Sequence, residues 1–146
     1  MAYKGAGIYG LFNVMENKIY IGASSNIAGR FATHKQNFRV KSKTNPMYNE
    51  PIENFVFLIL DKMKPDEFTK YGDMVEQLFI AQAQRNNFGI YNRNKTDEDV
   101  TWRARSVFQT EAKLYGAIQD SCHVLPWTIR MMSERKRRAV LENISA

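Results

Sequence analysis

Two tyrosines (Tyr9 and Tyr20), an arginine and a histidine four residues apart (Arg30 and His34) and one glutamate (Glu76) are side chains of this 146-residue chain whose types together could hydrolyse a phosphodiester. That reaction needs an oxygen nucleophile relieved of its proton, charge stabilisation at phosphorus and help for the departing oxygen. A guanidinium keeps its charge, and its planar fork matches phosphate oxygens, so Arg30 suits the charge that develops in the transition state. Glu76 is a hard oxygen ligand of the kind that holds Mg²⁺ or Mn²⁺, ions that take one or two carboxylates and complete their shell with water and substrate phosphate. A phenol with an ordinary pKa of about 10 is a poor base at neutral pH. Tyr9 therefore needs a cation or a proton acceptor beside it, and Lys18, Arg30 and His34 are the candidates.

The tyrosines sit in two tripeptides, Gly7-Ile8-Tyr9 and Tyr20-Ile21-Gly22, with ten residues between them. Alternation from Gly7 to Val14 predicts a strand with one buried face, Met15-Glu16-Asn17 a turn, and Lys18 to Gly22 a second strand, so both tyrosines belong to one β-hairpin. Ser24-Ser25-Asn26 offers N-cap chemistry for a helix over 27–38, whose apolar stripe at 27, 31 and 38 is completed by His34, with Arg30 on the same side. Residues 39–54, with Pro46 and Pro51, read as a long basic loop. The unbroken apolar run Phe55 to Leu60 predicts a strand buried on both faces and central in the sheet. A helix over 73–86 turns Val75, Leu78 and Phe79 inward and leaves Glu76 partly desolvated at the edge, ending in a glycine stop before Asn92. Helical apolar patterns follow over 100–118 and 128–144.

The expected fold is therefore α/β in the order β-β-α-β-α, a mainly antiparallel three-stranded sheet flanked by helices. A helical basic extension follows, dividing the chain into residues 1–95 and 96–146.

Taken singly, each of these residues has an ordinary reading: strand packing for either tripeptide, a solvated pair for Arg30 and His34, a surface glutamate, turn chemistry for an asparagine after a tyrosine. Their order and spacing together, with Asn92 following Gly89-Ile90-Tyr91, resemble the GIY-YIG endonuclease family over residues 7–92. The resemblance implies cleavage of DNA phosphodiester bonds with one divalent metal ion, Mg²⁺ or Mn²⁺, held by Glu76, leaving 5′-phosphate and 3′-hydroxyl ends. It implies that Tyr9 activates the attacking water, that His34 is its proton acceptor or orienting partner, that Tyr20 positions water or phosphate, and that Asn92 supports the site. Asn94 competes with Asn92 for that role. Lys18 is either a further catalytic group or an exposed strand lysine, and Gly10 departs from an ordinary strand residue, loosening the strand or allowing close backbone approach. The rival reading is a catalytically silent DNA-binding module that keeps the fold.

A net charge of +6 favours a polyanionic partner without proving one. From Ser25 to Asn49 there is no acidic residue, while Lys35, Arg39, Lys41 and Lys43 join Arg30 there, either a solvated face or a nucleic-acid surface. Arg135, Lys136, Arg137 and Arg138 form a second cluster, either an exposed helix face or a phosphate-contacting arm, with the polyanionic substrate that the resemblance implies favouring the arm. Double-stranded DNA is the expected partner, and cutting both strands would call for a homodimer or a second binding event. The single cysteine, Cys122, excludes an internal disulfide framework and a cysteine-rich zinc module, and His123 beside it reads as structural. Trp102 and Trp127 could stack on bases or pack the extension, and packing is the preferred reading. No apolar run approaches the roughly 20 residues of a membrane span, and the N-terminus lacks a signal-peptide stretch, so a soluble intracellular protein is expected, cytoplasmic or nucleoid-associated. Compactness leans toward a stand-alone, restriction-like or phage-encoded cutter over a modular homing enzyme, with repair still open.

Overall fold

The computed structural model describes residues 2–93 and 106–145. Its sheet is built on the expected hairpin: β1 (Ala6–Asn13) and β2 (Lys18–Ser24) pair antiparallel with Tyr9 opposite Gly22 and Leu11 opposite Tyr20. Helix α1 (Ile27–Val40) follows, its first turn closed by the Asn26 carboxamide oxygen accepting from the Gly29 N–H at 3.1 Å. Residues 39–54 are not an extended loop. Past the end of α1 they hold two 3₁₀ turns, Pro46–Asn49 and Ile52–Asn54, the first of which buries Met47 and Tyr48.

Strand β3 (Phe55–Met63) is antiparallel to β1, and a two-residue β4 (Gly89–Ile90) is parallel to β2, giving the order β3-β1-β2-β4. Among the described residues the sheet thus has four strands, not three, and β3 lies at its edge. Two residues have no periodicity to read, which is why β4 escapes the sequence. The apolar run of β3 reflects cover on both faces, and the central place belongs to β1, whose eight residues are all buried instead of alternating.

Helix α2 (Pro65–Arg85) begins eight residues before the expected start, with Pro65 in its first turn and the Glu67 carboxylate accepting from the Lys64 N–H at 3.0 Å. It ends at Asn86, followed by Asn87 in the left-handed region (φ 64°), so Asn87 takes the place assigned to a glycine stop. Among the described residues the extension holds three helices where two were expected over 100–144: α3 (Thr110–Cys122), α4 (Pro126–Met131) and α5 (Glu134–Ser145). Asn94, Trp102 and the start of the expected 100–118 helix lie outside the described residues.

Alternation along β1 divides the interior in two. Ile8 and Phe12 face a cluster that takes in Val75 and Phe79 of α2, Leu114 and Ile118 of α3, Ile129 of α4, and Val140 and Leu141 of α5. Tyr9 and Leu11 face the other way, against Ile27 and Phe38 of α1, Met47, Tyr48, Phe55 and Tyr91. Among the described residues no helix is long and apolar enough to cross a membrane.

Candidate active site

Tyr9 projects toward α1 and meets His34 across the sheet face, its Oη lying 2.7 Å from His34 Nε2. The hairpin register makes room for this. A Cβ on Gly22, directly opposite, would fall 2.3 Å from the Tyr9 oxygen, so the phenol lies where any larger residue would place its side chain. Gly7 is required for a similar reason, since a Cβ there would sit 1.9 Å from the Asp61 carbonyl oxygen beside the register shift between β1 and β3. At Gly10 the space for a side chain is taken by Ile19, 3.0 Å from an added Cβ, so that glycine permits close core packing.

The far ring nitrogen of His34, Nδ1, lies 2.8 Å from Tyr48 Oη, which also accepts from Asn37 Nδ2 at 3.2 Å. Tyr9, His34, Tyr48 and Asn37 form one continuous chain of polar contacts. Tyr48 carries no signal of its own in the sequence because it lies in what reads as loop. The cue is Asn45-Pro46, a 3₁₀ start in which Asn45 Oδ1 accepts from the Met47 N–H at 2.9 Å and its amide reaches the Tyr91 carbonyl at 3.2 Å.

Burial and the nearby Arg30 charge lower the His34 pKa to about 4, so its imidazole is neutral at pH 7. Burial first, then Tyr20, push the Tyr9 phenol far above its ordinary range, while Arg30 pulls the other way. Tyr20 is also raised, by burial, Tyr48 and Glu76 in that order. Arg30 and His34 are not alike in exposure: His34 is 4% exposed and Arg30 faces solvent, its guanidinium making no hydrogen bond or ion pair among the described residues.

Along the edge of β2, beyond the end of β4, lies an open cleft of about 400 Å³ lined by Tyr20, Tyr48, Glu76, Gln77, Asn92 and Arg93 among others. Burial and then Asp73 raise the Glu76 pKa, and the Ala23 backbone, by hydrogen bonding to the carboxylate, opposes them. Asn92 grips the same strand: its Oδ1 accepts from the Ile21 N–H at 3.0 Å and its Nδ2 donates to the Ile21 carbonyl at 2.7 Å. This extends the β2–β4 ladder by side chain and fixes the Tyr20-Ile21-Gly22 segment beside Glu76.

Tyr9 itself is 1% exposed and does not line the cleft; Tyr20 stands at the wall, ring centroids 6.3 Å apart. Lys18 is not brought into the group. Its ammonium lies 4.5 Å from the centre of the Tyr91 ring, whose hydroxyl donates to Glu50.

The basic residues divide as well. Lys35 lies over the Phe57 ring, Arg39 bonds Gln36 on its own helix, Lys41 forms the left-handed end of α1 and Lys43 is exposed. Arg135 and Lys136 are exposed. Arg137 instead donates to the Met15 and Arg130 carbonyls and Arg138 to Asn54 at 3.1 Å, so these two dock α5 onto the sheet end as well as carrying charge.

No cluster of three or more His, Cys, Asp or Glu side chains occurs among the described residues. Among the described residues the cleft supplies one carboxylate, a glutamine amide and phenolic oxygens, with the Asn92 amide already committed to backbone. That donor set fits a hard divalent cation that keeps water and phosphate as most of its ligands, and does not fit a fully protein-ligated metal. Cys122 is buried, with its thiol pushed up to about 11, and His123 forms the left-handed end of α3.

The family model of the GIY-YIG catalytic domain matches residues 5–89, more than half of the chain, and this protein belongs to the GIY-YIG family. It is a family of nucleases that act on DNA and generally use a divalent metal. Comparison with curated proteins and with solved structures returned no match.

Proposed function

We propose that this protein is a metal-dependent DNA endonuclease that hydrolyses phosphodiester bonds to 5′-phosphate and 3′-hydroxyl ends. The observation that carries the reading is the 2.7 Å contact between Tyr9 and His34, on a hairpin whose Gly22 exists to admit it, beside a cleft holding Glu76.

A free phenolate at Tyr9 is out of reach at neutral pH, and a relay removes the need for one. The attacking water gives its proton to Tyr9 Oη as the Tyr9 proton passes to His34 Nε2, leaving hydroxide character on the nucleophile and an imidazolium at His34. His34 starts neutral with its proton on Nδ1, donated to Tyr48 Oη, and the Asn37–Tyr48 pair holds the ring in that orientation. Tyr9 is buried in the free protein with its ring 6.3 Å from that of Tyr20, and its oxygen becomes reachable when Tyr20 turns toward bound phosphate. Arg30, exposed and uncommitted, neutralises charge on the phosphoryl oxygens. Glu76 would hold Mg²⁺ or Mn²⁺, which supplies Lewis-acid stabilisation of the phosphoryl group and the leaving oxygen. Asn92 keeps Tyr20 and Glu76 in register.

One such site nicks one strand at a time, so double-strand cutting takes a second copy or a second binding event. The test is cleavage of supercoiled plasmid with Mg²⁺ or Mn²⁺. Glu76→Ala is expected to lose cutting and retain DNA binding, and Arg30→Ala to slow it by on the order of hundredfold or more. Burial of Tyr9 is the feature that favours the rival, a silent DNA-binding module. That rival stands if the wild type binds plasmid and leaves it intact with either metal.

A further inference from the structure

A second concavity of about 140 Å³ opens where the C-terminus of α2, the hairpin turn and α4 meet. Its residues are of a different kind from those of the hydrolytic cleft. Trp127 is 47% exposed, with its indole held edge-on against the Tyr115 ring at 5.5 Å between centroids. Tyr115 is in turn fixed by its hydroxyl donating to Asn86 Oδ1. Arg85 and Arg130 lie on the rim, and no carboxylate lines the hollow among the described residues. Asn17, more than nine-tenths buried, forms part of its wall, and its side-chain oxygen has no donor among the described residues.

Charge gathers around this end of the molecule. Arg137 reaches both the Arg130 carbonyl and the Met15 carbonyl, which brings the start of α5, with exposed Arg135 and Lys136, beside the hairpin turn and α4. The hollow has room for one nucleobase and none for a duplex.

We propose that this hollow is a second DNA contact that takes a single unstacked nucleotide, its base against the Trp127 indole and its phosphate against Arg130. The chemistry is that of single-strand recognition: an aromatic platform that accepts any base face, bordered by cations for the backbone. Asn17 to Tyr20 along β2, and Glu76 to Arg85 along α2, place the hollow on the order of 10–14 Å from the cleft. That is about three to four nucleotides of one duplex strand at 3.4 Å each. The substrate class that fits both sites is DNA with an unpaired or distorted nucleotide a few positions from the cut. This assignment rests on the nuclease reading for its substrate.

The test measures anisotropy of three labelled DNAs of equal length, namely a perfect duplex, a duplex with one bulged nucleotide and a single strand, without metal so that nothing is cut. Full-length wild type, Trp127→Ala, Trp127→Phe and Arg130→Gln are compared, with folding checked by thermal unfolding. Trp127→Ala is expected to weaken the bulged and single-stranded DNAs on the order of tenfold and the perfect duplex by less, Trp127→Phe to retain much of the affinity, and Arg130→Gln to lower the salt dependence by about one counterion. In a Trp102→Phe background, bulged DNA should quench the Trp127 fluorescence. Equal weakening of all three DNAs by a folded Trp127→Ala, or no weakening and no quenching, overturns the proposal. In that outcome wild-type cutting with Mg²⁺ still upholds the nuclease reading, whereas a wild type that neither binds nor cuts any of the DNAs removes both.

Discussion

A buried neutral imidazole makes His34 the residue whose titration is most easily read. Its folded pKa of about 4 lies below the ordinary 6.5, so above pH 6.5 it is uncharged whether the chain is folded or not. As pH falls from 6.5 toward 4, the unfolded chain takes up a proton that the folded one refuses, and stability is lost by as much as about 3 kcal/mol. Glu76 works in the opposite sense, because its pKa is raised and protonation favours the folded form. Comparing wild type with His34→Gln cancels that background. The wild type is expected to lose more stability between pH 7 and pH 4 than the variant, measured by denaturant unfolding at each pH, and parallel curves would refute a buried neutral His34. Cleavage should show the same boundary, with its acidic limb well below pH 6.5 if neutral His34 accepts the Tyr9 proton.

At the scale of elements, the hairpin works because one strand leaves a hole for the other. Gly22→Ala is expected to move the Tyr9 ring, cost about 1–3 kcal/mol by overpacking and lower kcat on the order of hundredfold, since a small displacement of a reacting group has large effects. Melting temperature and plasmid nicking check it together, and an alanine variant that cuts at the wild-type rate would show that the tyrosine does not depend on this cavity. Elements with strong local signals were readable from sequence: the two tripeptides, the Asn26 cap, and the half-desolvated edge position of Glu76. Those set by tertiary contact were not. Two residues at Gly89–Ile90 become a strand only because β2 offers them an edge, and Tyr48 becomes an imidazole partner only because a short 3₁₀ turn folds back on α1. The early start of α2 was within reach, since Pro65 followed by Glu67 is a helix-opening pattern that the apolar stripe overshadowed. The relation of Tyr9 to the cleft, beneath its wall and not on it, has no trace in residue order at all.

Across the whole molecule, the C-terminal helices share the interior of the sheet. Leu114 and Ile118 are fully buried among Ile8, Phe12 and Phe79, and Lys113 pairs with Asp61 at 3.0 Å. Leu114→Ala is therefore expected to cost about 2–5 kcal/mol and to destabilise the hairpin and extension together. Far-UV circular dichroism and Trp127 fluorescence should follow one denaturant transition in both proteins, and an extension that melts ahead of the sheet would contradict a common core. The grip of Asn92 on Ile21 has a bearing on how copies of this chain behave toward each other. Among the described residues no strand lies beside β2 past Ile19, a border to which a foreign strand could add if its outward groups were not engaged, at Ile21 by Asn92 and at Ala23 by Glu76. Both backbone groups of Ile21 are already taken, so an incoming strand meets no vacant partner at the middle of that border. Asn92→Ala is expected to uncover a template for intermolecular pairing, seen as thioflavin-positive aggregation at concentrations where the parent chain stays dispersed. The asparagine that steadies Tyr20 would thus also keep the protein from polymerising through the strand that carries it.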